Sequence, residues 1–210
     1  MSGLSQPSRR PTLSPIGLDI ILAASQVPHG IRLSDLAAVI GSLVSSVQTG
    51  LRVLTAHGII RRFGAAVPRY GITEAHPAWE QIVNVAAVLP EPAHATAIIV
   101  RANPSVAFAA VDAHGFVIAV DEGMDVEAYQ LLDRYLDLIR STRHPMPAIL
   151  RIPGLEFGRQ VAVDLGLRQR MVSAVPLNGH LPRAPRAPVA RGAPRVAIRS
   201  TTQQRSGSGV

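Results

Sequence analysis

The stretch SSVQTGLRVLTAHGIIRRFGAAVPRYGIT, Ser45 to Thr73, changes rhythm halfway along. Its first half sets Val47, Leu51 and Leu54 at helical spacing, with Leu43 just ahead of them. These four side chains are expected to face inward. The helix should stop at Gly58, a residue suited to the left-handed position that follows a helix. The second half alternates: IIRRF (59–63) and RYGIT (69–73) read as two strands joined by GAAVP (64–68). A helix therefore feeds directly into a two-stranded flap.

Upstream, Ile16, Ile20, Ile21 and Ala24 share one helical face, and Val27-Pro28-His29-Gly30 should end that helix. Ile31 to Leu33 reads as a short extended piece. Ser34 is expected to cap DLAAVIG (35–41), with Asp35 near the positive end of the helix dipole. Helix, helix, turn, helix and two-stranded flap is the order of a winged helix-turn-helix.

SSVQTGLRVLTAHGIIRR also resembles the recognition helix and the start of the wing in ArsR- and MarR-like bacterial transcription regulators. The resemblance covers residues 16–74. It implies a winged helix that binds double-stranded DNA, as a homodimer because operators usually present paired half-sites. Such a helix must keep apolar anchors on one side and a polar face toward the major groove. Gln48, Thr49 and Arg52 are expected to read bases, while Ser45, Ser46, Arg61, Arg62 and Arg69 hold phosphates. Residues 16–73 hold five arginines against two acids, Asp19 and Asp35, a local excess of three positive charges. The GAAVP tip carries none of it.

Downstream, His76 to Leu89 reads as a helix carrying the only tryptophan, Trp79, and LPEPAH as a linker. ATAIIVR (95–101) reads as a buried strand, and VAFAAVDAHGFVIAV as two strands around an Asp112–Gly115 turn. Val126 to Ile139 is amphipathic and helical. AILRI is a further strand, and LEFGRQVAVDLGLRQRMVSAV a final helical stretch. YGITEAHPAWEQIVNVA and VSAVPLNG resemble segments that flank nucleotidyltransferase-like domains in some bacterial regulators. An active member would carry a Gly-Ser turn and two carboxylates two residues apart on a strand, which together hold Mg²⁺. AAVDAHGF has no Gly-Ser pair. Asp121 and Asp125 are the nearest candidate ligands, so the resemblance implies a degenerate copy serving effector binding or dimerisation.

Composition narrows the chemistry. All 21 basic residues are arginine, a bias that GC-rich codon usage explains, and the lack of lysine excludes a Schiff base or a Walker-type phosphate lysine. The lack of cysteine excludes disulfides and thiolate sites. The seven histidines are scattered without the i, i+4 pairing of a helical metal site, and no cofactor motif is present. The formal net charge is +7, yet six arginines and no acid lie between Leu181 and Val210, leaving the remainder near +1. Residues 1–15 and 181–210 are expected to be disordered, the latter an Arg/Pro-rich tail. No secretory signal or apolar span is visible, so a cytoplasmic protein is expected.

The expected fold is α/β (α+β): a winged helix at 16–74, a connecting helix and linker at 75–95, and a small α/β domain at 96–180. The expected function is sequence-specific transcription regulation, with no cofactor and a small-molecule effector as a further partner. The competing readings are a nucleotidyltransferase-like enzyme, an antitoxin-type protein and a protein-interaction adaptor.

Overall fold

The computed structural model describes residues 13–121, 125–142 and 145–178. The expectations for the tail at 181–210 and for residues 1–12 lie outside them. The first helix begins within the stretch expected to be disordered: α1 runs Pro15–Ser25, capped by Ser14, whose Oγ accepts from Gly17 N at 3.2 Å. Proline suits this first turn because its missing N–H would have no partner there.

Next come β1 (Ile31–Arg32), α2 (Leu33–Ile40), α3 (Val44–Ala56), β2 (Ile60–Phe63) and β3 (Arg69–Ile72). The three strands form an antiparallel sheet in the order β1-β3-β2. Two expectations need correction here. Ser34 does not cap α2; it lies inside the first turn, and its Oγ donates to Asp35 Oδ1. Leu43 does not face inward; it is the residue before α3 and is 74% exposed, while Val47, Leu51 and Leu54 are buried. Gly58 follows α3 with φ of 69°, the left-handed turn that lets the chain enter β2. Gly30 (φ 73°) is needed for space as well, since a Cβ there would lie 2.2 Å from Phe63 Cζ.

The second half contains α4 (Trp79–Val88), α5 (Pro92–Ala102), β4 (Val106–Asp112), β5 (Gly115–Val120) and α6 (Val126–Arg140). It ends with β6 (Ile149–Pro153), α7 (Gly154–Val163), α8 (Leu165–Ser173) and β7 (Val175–Asn178). The expected buried strand at 95–101 is helical: those residues are the body of α5. LPEPAH is not a linker either, because Pro92 opens α5 and the Leu89–Glu91 turn joins it to α4. The final helical stretch is two helices, broken where Asp164 Oδ1 accepts from Leu167 N and caps α8.

The second sheet has the order β6-β5-β4-β7, with only the β5–β6 pair parallel. Alternation along β5 explains its wholly apolar sequence. Phe116, Ile118 and Val120 join the core shared with α5 and α6, whereas Val117 and Ala119 pack beneath α7 and α8. Phe108 and Phe157 stack on that second face with ring centroids 5.0 Å apart. Asp112 at the end of β4 receives Arg170 of α8 in two hydrogen bonds, 2.6 and 3.1 Å. This pairing holds the carboxyl below its ordinary value and raises the guanidinium.

One apolar core runs through both halves. Ile20 to Ala24 of α1 are each at most 2% exposed, because α2 and α3 cover one side of the helix and α4 and α5 the other. A buried polar knot marks the junction. Asn103 Nδ2 donates to Gln26 Oε1 (3.2 Å) and to Ala128 O (2.7 Å), while its Oδ1 accepts from Ser105 N (2.9 Å) and Oγ (2.6 Å). Arg134 of α6 lies over the Trp79 ring, 5.9 Å from its centroid. Tyr135 beside it is buried, which pushes its phenol above the ordinary value. Among the described residues no single helix is long and apolar enough to cross a membrane.

Candidate nucleic-acid interface

The outer side of α3 follows from its apolar spacing. With Val47, Gly50, Leu51 and Leu54 turned inward, Ser45, Gln48, Thr49 and Arg52 must stand outside, and all four are exposed. Thr49 Oγ1 donates to Ser45 O at 3.0 Å, a bond within the helix. The helix contains no acidic residue.

Gln48, Arg52 and Thr55 of α3 meet Arg62 and Tyr70 of the hairpin around a cleft of about 260 Å³. The strand register explains the grouping. Arg62 pairs with Tyr70 and Ile60 with Ile72, so all four share the sheet face turned to α3. Two arginines and no carboxylate border the cleft, which gives it a positive potential. Thr55 and Tyr70 were not among the residues expected from the sequence. Thr55 lies seven positions after Gln48 and three after Arg52, so helical spacing alone could have found it. Tyr70 becomes visible only once the hairpin register is known.

The remaining arginines separate from this group. Arg61 and Arg69 lie on the other sheet face with Phe63 and Gly71. The Arg61 guanidinium stands 5.7 Å from the Phe63 ring centroid. Arg69 Nη1 donates to Gly30 O at 3.0 Å, tying β3 to the turn before β1. Ser46 points to the opposite flank of α3, toward α1 and α4. The structure thus brings Gln48, Arg52 and Arg62 together, continues them along α3 with Ser45 and Thr49, and leaves Ser46, Arg61 and Arg69 elsewhere.

The acids considered as Mg²⁺ ligands are also apart from one another in role. Asp121 follows β5, its N–H donating to Ser105 O at 2.8 Å, and Asp125 Oδ1 accepts from Ala128 N at 3.0 Å as the cap of α6. Among the described residues no group of three or more His, Asp or Glu side chains is placed to share a metal ion. No family model, curated protein or solved structure matches the chain.

Proposed function

We propose that this protein is a DNA-binding transcription regulator whose α1-β1-α2-α3-β2-β3 unit is a winged helix-turn-helix, with α3 in the major groove and the β2–β3 hairpin beside it. The observation that carries this reading is the convergence of Gln48, Arg52 and Arg62 on one exposed, acid-free surface. A helix of 13 residues with its polar side outward has the length and width to enter a major groove. Gln48 and Arg52 carry the paired donors and acceptors that read adenine and guanine edges. Thr49 stands beside them at the base edges, Arg62 and Ser45 supply phosphate contacts, and Arg61 and Arg69 belong to the hairpin's far side. The regulator acts as a homodimer on paired half-sites, and the second half serves dimerisation or effector binding.

The test is selection from a random double-stranded DNA library by the full chain, followed by anisotropy titration of the selected sequence. A single enriched sequence is expected, with affinity that falls steeply as salt rises. Arg52→Ala should weaken binding by about 1–3 kcal/mol. Arg62→Ala should weaken it across all sequences, and Arg61→Ala should do so much less. Absence of both enrichment and salt-sensitive binding would overturn the reading.

A further inference from the structure

A second cleft lies on the flank of α3 away from Arg62. Its volume is about 620 Å³, and it is bounded by the start of α1, by α3 and by α4. Leu13, Ile16, Val53, Ile59 and Ile82 form apolar walls. Gly50 lets the two helices meet closely at its base, since a Cβ there would fall 2.6 Å from Ile20 Cδ1. Ser46 and His57 stand exposed on the rim. Among the described residues no Asp, Glu or Arg lines the cleft, in a chain of net charge +7.

We propose that this cleft binds a small, uncharged, mainly apolar molecule that carries a hydrogen-bonding group at one end. Its volume falls within the roughly 300–1,000 Å³ of small-molecule sites, and apolar walls with few polar groups are their usual make-up. Apolar surface of the ligand leaves water against Ile16, Val53 and Ile82. Ser46 and His57 give direction by hydrogen bonding at the rim. A charged ligand would lose hydration without meeting an opposite charge, and a phosphate would find no guanidinium. Residues 1–12 adjoin Leu13 in sequence, yet MSGLSQPSRRPT offers only Met1 and Leu4 as large apolar side chains and adds two arginines. That segment is a poor match for these walls.

Thr49 borders this cleft and also stands on the outer side of α3 with Gln48 and Arg52. A ligand touching Thr49 alters the surface that α3 offers, and any change it makes in the affinity of a partner there is reciprocal. The regulatory consequence rests on the DNA-binding reading; the ligand site itself does not.

The test titrates N-phenyl-1-naphthylamine, a neutral fluorophore, into the full chain with no DNA present, so its outcome is separate from that of the DNA experiment. The expected result is a saturable, one-to-one rise in emission. Val53 is 49% exposed, so substitution there spares the core. Val53→Trp should fill the cleft and Val53→Asp should place a charge in its wall; each should abolish the saturable rise while urea melting stays cooperative. Leu155→Asp, at a position 97% exposed on α7, should leave the rise intact. The proposal is overturned by no saturable rise, by one that survives both Val53 variants, or by one lost with Leu155→Asp. A wild-type dimer that Val53→Trp converts to monomer in sedimentation velocity would also overturn it, assigning the cleft to a second copy.

Discussion

Asp112 shows how one side chain joins two elements. Its carboxylate is 2% exposed, whereas Arg170 keeps 24% of its side chain in water. The pairing is worth more than a surface ion pair because the carboxylate has little water left to return to. The hydrogen bonds from Arg170 are the main reason its folded value lies below the ordinary 3.8. The native state therefore holds fewer protons at this site than the unfolded chain does. Its stabilisation is present above the ordinary value and is lost as pH falls through the folded one. Urea midpoints followed downward from pH 6 should drop in this acid range, and Asp112→Asn should flatten that drop. At neutral pH the same substitution should cost about 1.5–3 kcal/mol. An unchanged acid limb in Asp112→Asn would show that other carboxylates dominate it. Sequence reading reached the Asp112–Gly115 turn but not the partner: Arg170 is 58 residues away and no local pattern links them.

At the scale of elements, the legible parts were those with a strong period or a firm stop. α3 stops just before Gly58, the hairpin turns through 64–68, and α6 begins beside its cap Asp125, as their residues suggest. ATAIIVR failed because an unbroken apolar run fits a buried strand as well as a buried helix. The available signal was Pro92 at the first helical turn with Arg101 in the last turn. For the candidate interface, helical spacing located Gln48, Thr49 and Arg52 on the outside. It could not sort Arg61 from Arg62, because neighbouring strand residues point to opposite faces and the register decides which face meets α3. The Asn103 knot belongs at this scale too, since it fastens the end of α1 to α5, β4 and α6. Asn103→Ala should leave Gln26 Oε1 and the Ser105 N–H buried without partners. A loss of about 2–6 kcal/mol in urea unfolding is expected, two such groups at the usual penalty. A loss below 1 kcal/mol would mean the knot is not needed to hold the junction.

Across the whole molecule, α1 serves both halves. Its residues Ile20 to Ala24 are buried all round, a pattern no separate three-helix unit could satisfy. A fragment of residues 13–74 would expose the side of α1 that α4 and α5 cover. That fragment should therefore melt without a cooperative transition, while residues 13–178 should unfold in one. A cooperative melt of the short fragment, followed by circular dichroism, would show instead that the halves fold independently. The shared core was the least legible feature in the sequence, because composition shifts and prolines suggest a boundary where packing provides none.

The Trp79–Arg134 contact has an optical consequence. Trp79 is the chain's only indole, and it sits where α4 meets α6 with a guanidinium over its face. Its emission is thus a label-free signal from a single place, uncontaminated by other indoles. Light from that one ring will register any loosening of the joint.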